Sequence, residues 1–171
     1  LTIYDALSIT AFLKTDALAS KQALLKRLGS KIRTLEKWNR TAPENYQAAL
    51  FLLYAEKAFL KKNYDTARKY YDLGAQTARE HDIPQLESIA FELTAQFFHH
   101  TKQLYYARIF YQETYQSYRR WGADLKCEQL LELYPQYISP STAIGGTSAE
   151  IRTTQSTHNT SHFNSTTHHS I

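Results

Sequence analysis

Apolar residues recur at helical spacing along most of the chain. Between residues 20 and 39 the main apolar positions are Leu24, Leu28, Ile32, Leu35 and Trp38, with successive spacings of four, four, three and three. This spacing places them on one face of a helix. Prolines, glycine and short polar stretches interrupt the pattern further on. It predicts helices over about residues 20–39, 44–60, 64–78, 84–98, 104–120 and 123–134.

The helical segments form an internal repeat. A shift of 40 positions brings Phe51 onto Phe91, Leu53 onto Leu93, Ala55 onto Ala95, Ala67 onto Ala107 and Tyr71 onto Tyr111. Helix pairs that repeat at about 34–47 residues are typical of α-solenoids. Small alanines let paired helices approach closely, and the tyrosines fill the groove beside them. The pattern predicts an all-α, tetratricopeptide-like α-solenoid of antiparallel helix pairs, closed by a Trp121–Gly122 turn.

The composition changes sharply after residue 138. Of the positions in 139–171, 15 are serine or threonine and only two carry a formal charge. Such a segment buries too little apolar surface to offset its conformational entropy. The sequence therefore divides into an N-terminal helix remnant (1–19), a repeat domain (20–138) and a disordered linker (139–171). Because methionine is absent and only two clear repeats are present, we expect a piece of a longer protein.

The positive charge is concentrated in one predicted helix. The chain has a formal net charge of +4, whereas residues 20–40 alone contain seven basic residues and one acid, a net of +6. On a helical wheel Lys26, Arg33, Lys37 and Arg40 gather opposite the apolar face. A solvated helix surface explains this pattern, and a docking face for an acidic partner or a neighbouring domain is the alternative.

No catalytic or cofactor-binding motif stands out. The sequence lacks a phosphate-binding P-loop, a kinase signature and a Cys-x-x-Cys zinc pair. We therefore expect no catalysis, cofactor or metal in this segment. The one cysteine, Cys127, is interpreted as a small buried residue, and His99 and His100 as the end of a helix. In the linker, His158 and His162 lack the scaffold that a metal site needs.

The expected partners are proteins. The 13 tyrosines fit core packing better than base stacking, so nucleic acid is not expected. No apolar run approaches the ~18 residues of a membrane span, so we expect no membrane insertion and a cytoplasmic location.

Two motifs carry a resemblance to a known family. In residues 35–46, Leu35, Trp38, Pro43 and Asn45 follow the pattern L-x-x-W-x-x-x-x-P-x-N. This segment resembles the start of the helical region of large multi-sensor hybrid histidine kinases. Residues 64–72 and 87–97 are similar to two later helices of that region.

The second motif is the more specific one. Tyr118, Trp121, Gly122, Ala123 and Lys126 match the family pattern Y-x-x-W-G-A-x-x-K. The similarity covers about residues 24–138. The chain departs from the family at position 74, where glycine replaces the usual alanine, and at position 127, where cysteine replaces valine.

The resemblance implies a place in a signalling protein. Members of this family carry a serine/threonine-kinase-like domain, an AAA-type ATPase, the tetratricopeptide-like region, a GAF sensor and a histidine kinase. The chain would then lie between the ATPase and the GAF sensor of an ATP-binding two-component phosphorelay protein, and none of the family's catalytic residues falls within it. The alternative is a stand-alone tetratricopeptide adaptor that binds a peptide.

Overall fold

The computed structural model describes residues 2–14 and 21–140 of the chain. Within these two stretches the backbone forms seven α-helices and no strand, which confirms the all-α prediction. The helices are α1 (Thr2–Lys14), α2 (Lys21–Asn39), α3 (Pro43–Leu60), α4 (Tyr64–Glu80), α5 (Pro84–His100), α6 (Leu104–Arg120) and α7 (Asp124–Leu133). The predicted disordered linker, apart from its first two residues, lies outside the described part.

The helices stack in pairs along one direction. Helices α3 and α4 form one antiparallel hairpin and α5 and α6 a second, while α4 packs on α5 to join the two hairpins. At one end α1 packs against both α2 and α3, and at the other α7 packs on α6. Because the contacts join near neighbours in sequence, the arrangement is an α-solenoid, as the repeat predicts. Helix α1, which the sequence assigned to a preceding region, packs into this stack.

Four turns of the stack share one geometry and are evenly spaced along the chain. Each contains one residue with positive φ: Lys62 (61°), Asp82 (53°), Lys102 (63°) or Gly122 (82°). The amide after it donates to the carbonyl oxygen five residues earlier, at 2.8–3.0 Å, and so closes the end of the helix. Each copy of the sequence repeat therefore consists of two helix-and-turn units of equal length.

Glycine is expected to stabilise the two turns that contain lysine. The left-handed region costs a non-glycine residue about 1 kcal/mol, so Lys62→Gly and Lys102→Gly should each raise the free energy of unfolding by about 0.5–1 kcal/mol. Gly122→Ala should lower it by about 1 kcal/mol through the backbone alone, since no atom lies within 4 Å of the added Cβ. Urea denaturation measures all three. A loss of stability in the lysine variants would contradict the shared geometry.

Small and aromatic residues of the repeat meet in the core. Ala55, Ala67, Ala95 and Ala107 are fully buried, as are Tyr71 and Tyr111. Two ring contacts also recur at matching positions of the repeat, at half-buried Phe51 on Tyr70 (5.9 Å between ring centroids) and at buried Phe91 on Phe110 (6.3 Å).

One repeat pair is divided between two parts of the core. Leu53 is fully buried with α1 and α2 residues, whereas Leu93 is half-buried against the main cluster between the hairpins. The two copies of the repeat therefore share their backbone geometry, whereas side chains at matching positions can have different surroundings.

Gly74 lies on α4 directly against Leu52 of α3. A Cβ placed on this buried residue would lie 2.5 Å from Leu52 Cδ2, far inside van der Waals contact. Leu52 is itself fully buried, so little room exists for it to shift. Glycine at position 74 therefore accommodates the leucine on the facing helix.

Trp121 does not close the end of the last repeat as predicted. Its side chain is 38% exposed at the edge of the stack. The ring packs on Tyr118, 6.0 Å between centroids, and Nε1 donates to Ser88 Oγ at 2.9 Å. The indole N–H needs a polar partner, and at the edge it finds one. The buried Cys127 and Leu130 of α7, together with Ile138, cover the end of the stack, as expected of a short closing helix.

Candidate functional site

The four predicted docking residues form an exposed basic stripe along α2 and just past its end, since Arg40 follows the last helical residue, Asn39. Lys26, Arg33, Lys37 and Arg40 are all exposed, and Leu28 on the opposite side is buried. At 100° per residue the three positions within the helix, Lys26, Arg33 and Lys37, fall within about 40° of one another and extend along about 17 Å. Among the ion pairs of residues 2–14 and 21–140, none involves any of the four.

The other described charges of α2 have partners on neighbouring helices. Arg27 Nη2 and Lys31 Nζ each lie 2.7 Å from a carboxylate oxygen of Asp5 on α1. Glu36, the one acid of α2, accepts a hydrogen bond from Tyr54 Oη on α3 at 2.7 Å. Burial and this glutamate raise the pKa of Tyr54, so its hydroxyl remains a donor. The uncompensated charge of α2 is therefore concentrated in the stripe.

The Asp5 ion pairs are expected to make the α1–α2 contact sensitive to acid. A hydrogen bond from Lys31, then one from Arg27, lowers the pKa of Asp5 below its ordinary value of 3.8. A lowered native pKa contributes stability that is present above the unfolded value and is lost as the pH falls through the native one. Asp5→Asn should therefore flatten the fall of urea midpoints below about pH 4.

A matched control for this prediction is Glu113→Gln, which removes an exposed carboxylate of α6. It should leave the acid limb of the stability curve unchanged. If Asp5→Asn and wild type lose stability in parallel, the ion pairs with Arg27 and Lys31 do not link α1 to α2 in solution.

An apolar groove runs beside the stripe, between α2 and the end of α3. It encloses about 300 Å³ and is lined by Leu13, Leu25, Leu28, Gly29, Lys57, Leu60 and Lys61. Leu25 is 42% exposed, and both lysines are exposed. The guanidinium of Arg33 lies over Gly29, 3.5 Å from the position of a Cβ there. The groove thus has an aliphatic floor and basic walls, and no carboxylate appears among its lining residues.

A second cleft lies where α1, α2, α3 and α5 meet. It encloses about 490 Å³, and Tyr4, Trp38 and Tyr46 contribute its aromatic wall. Trp38, predicted as a core position, is 40% exposed and packs on Tyr46 with 5.5 Å between ring centroids. The helical spacing placed Trp38 near the apolar face, but α2 ends one residue later and no further helix covers the ring.

A buried carboxylate fastens α1 to the first hairpin. Glu56 is fully buried and its Oε1 accepts from Tyr71 Oη at 2.5 Å. Lys14 Nζ lies 2.9 Å from Oε1 and 2.8 Å from Oε2. Burial and the adjacent carboxylate raise the pKa of Tyr71 well above its usual range, so the tyrosine stays neutral and donates.

A second triad of the same composition fastens α7. Glu92 Oε2 accepts from Tyr118 Oη at 2.5 Å and lies 3.3 Å from Lys126 Nζ. Burial raises the pKa of Tyr118, with Glu92 adding to it. Neither triad was predicted from the sequence. The available signal was a glutamate in the middle of an apolar helix, as at position 56.

The candidate reactive side chains are packed as structural residues. Cys127 is buried, its Sγ lies 3.7 Å from Tyr115 O, and burial raises the pKa of its thiol. His99 meets Tyr111 and Tyr137 edge-on, at 6.2 and 5.7 Å between centroids. His100 meets Phe59 in the same way at 4.9 Å.

The described residues contain no group of three or more histidine, cysteine, aspartate or glutamate side chains able to hold a metal ion. None of the described helices is both long enough and apolar enough to cross a membrane. His158 and His162 lie outside the described residues.

Comparison with known proteins finds no match of any kind: no protein-family model, no curated protein and no solved structure resembles the chain closely enough to be counted.

Proposed function

We propose that the chain is a non-catalytic helical-repeat segment of a cytoplasmic signalling protein, which links an ATPase module to a GAF and histidine-kinase module. The observation that carries this proposal is the uninterrupted stack from α1 to α7, in which each helix packs on its neighbours. Such a stack transmits displacement between its ends because its units are joined by continuous packing. The resemblance of residues 35–46 and 118–126 to hybrid histidine kinases supplies the identity of the modules.

Two structural features support a mechanical role. The Lys14–Glu56 and Lys126–Glu92 pairs fasten the first and last helices, so that both ends of the stack are tied to the central hairpins. The basic stripe on α2 lies at the end where the ATPase module would adjoin. A charged face of this kind directs docking and orientation of an acidic neighbour.

A second candidate is a stand-alone adaptor that binds a peptide. The aromatic cleft lined by Tyr4, Trp38 and Tyr46 favours it, because concave sites with aromatic walls are common recognition sites for ligands.

The coding sequence on either side of these residues separates the two candidates. A P-loop ATPase upstream and a GAF domain with a histidine kinase downstream are expected. A start codon shortly upstream and a stop codon directly after Ile171 would instead establish the adaptor and overturn the first proposal.

Phosphorylation of the full-length protein then tests the linking role. Replacing residues 20–138 with a flexible Gly/Ser linker should uncouple histidine phosphorylation from the state of the ATPase. Full coupling through the flexible linker would contradict mechanical transmission. ATP hydrolysis or phosphorylation by the isolated 171 residues would contradict both candidates.

A further inference from the structure

We propose that the apolar groove between α2 and α3, together with the basic residues around it, binds an acidic amphipathic segment of another protein. This site is independent of whether the chain lies between an ATPase and a kinase. Aliphatic side chains of the segment would enter the groove, and its carboxylates would meet Arg33, Lys57 and Lys61.

The floor of the groove selects an aliphatic anchor. Leu25, Leu28 and Leu60 line it, and no aromatic ring is among its lining residues. An apolar cavity of about 150 Å³ holds a benzene-sized molecule, and the groove encloses about 300 Å³. It therefore has room for two aliphatic side chains of a partner helix at positions i and i+4.

The walls select negative charge. Lys57 in the last turn of α3 and Lys61, the residue directly after the helix, are both exposed, and Arg33 of α2 reaches over Gly29. The nearby carboxylate of Glu56 is buried and already paired with Lys14, so it does not neutralise them. A partner whose carboxylates flank the anchors matches this distribution of charge.

The stripe continues the same surface along α2. Lys37 follows Arg33 by four residues and points in nearly the same direction, and Arg40 lies just past the end of α2. A helical or extended acidic segment seated in the groove can thus continue along the stripe. Nucleic acid fits less well, because single strands bind through base stacking on aromatic rings, and leucines floor this groove.

Binding of a designed probe to the full 171-residue chain tests the proposal. The probe is a fluorescent amphipathic peptide with leucines at i, i+4 and i+7 flanked by glutamates, and fluorescence anisotropy gives its affinity. Lys57→Glu/Lys61→Glu should weaken binding by about tenfold or more. The matched control Lys69→Glu/Arg108→Glu makes the same change of charge at exposed positions of α4 and α6, and it should change binding less than about twofold.

Two further peptides test separately how much the leucine anchors and the negative charges of the probe contribute to its binding. Replacing the leucines with serine, or the glutamates with lysine, should each abolish measurable binding. Leu25→Ser in the protein should weaken the original probe while leaving the circular dichroism spectrum unchanged. Equal binding of the lysine peptide, or no effect of Lys57→Glu/Lys61→Glu, would overturn the proposal.

Competing occupants give distinct results. An oligothymidylate and the unlabelled peptide are each used to displace the probe. If the oligothymidylate displaces it at a lower concentration than the peptide does, the surface binds nucleic acid and the proposal is overturned. If Leu18→Ser makes the probe bind more tightly, the chain's own residues 15–20 compete for the groove. That result would also overturn the proposal.

Discussion

Ala107→Asp is expected to destabilise the stack by about 4 kcal/mol or more, a large part of the total stability of an ordinary domain. Ala107 is fully buried on α6, and its backbone amide already bonds to Gln103 O at 3.1 Å. A carboxylate there would lose its water without gaining a partner, and its volume would push the hairpin apart. Ala67→Asp, at the matching position of α4, should behave alike because Ala67 is also fully buried.

Urea unfolding followed by circular dichroism measures the effect. The matched control is Tyr105→Asp, which puts the same carboxylate in the first turn of the same helix at a side chain that is 74% exposed. That variant should unfold within about 0.5 kcal/mol of wild type. An Ala107→Asp midpoint close to that of wild type would show that the helix contacts of the repeat are assigned wrongly.

Lys14→Met is expected to lower the free energy of unfolding by about 3–5 kcal/mol. The substitution keeps most of the aliphatic chain but removes the cation, which leaves the fully buried carboxylate of Glu56 with Tyr71 as its remaining partner. Leaving a buried charge without its partner costs far more free energy than losing one of the exposed ion pairs elsewhere in the stack. Because Lys14 belongs to α1 and Glu56 to α3, the loss should appear first as detachment of α1.

A double variant distinguishes the cost of leaving the Glu56 charge unpaired from the cost of losing the Lys14 contacts. In Lys14→Met/Glu56→Gln the neutral amide oxygen still accepts from Tyr71, so most of the lost stability should return. Lys57→Met, at an exposed lysine of α3, is the control and should change stability by less than about 0.5 kcal/mol. If the double variant is no more stable than Lys14→Met alone, the pair does not hold α1 in place.

The helical elements were predictable because local rules define them. Pro43 and Pro84 stand in the first turns of α3 and α5, where proline suits the fixed φ and the missing amide is not needed. Asn63 caps α4 by accepting from Thr66 N at 3.3 Å. Apolar spacing alone ends α5 at residue 98, whereas the helix runs to His100, in agreement with the interpretation of His99 and His100 as a helix end.

The geometry of the turns was only partly predictable. A glycine at position 122 indicates a positive φ. Lys62 and Lys102 adopt the same conformation, although lysine does not favour it. Tertiary packing imposes this conformation, because the chain must reverse at a fixed point for the next helix to meet the stack. The even spacing of the turns is therefore clearer in the backbone than in the sequence.

The candidate site, like the turns, could be predicted from the sequence only in part. A helical wheel was sufficient to place Lys26, Arg33 and Lys37 together, since they share α2, whereas Arg40 lies one residue past its end. The groove beside them combines Leu25 of α2 with Lys57 and Lys61 of α3, and no local pattern relates residues that far apart. The same holds for the two Glu–Tyr–Lys triads, whose members come from three different helices.

By itself, the sequence determined the helical class, the period of the repeat and the side of α2 that carries charge, because each follows from the order and spacing of residue types along the chain. Only the tertiary structure decided which charges remain uncompensated, where Trp121 and Trp38 lie, and how Glu56 is satisfied. Those outcomes depend on contacts between distant segments, and such contacts are set by the free energy of the whole packed stack.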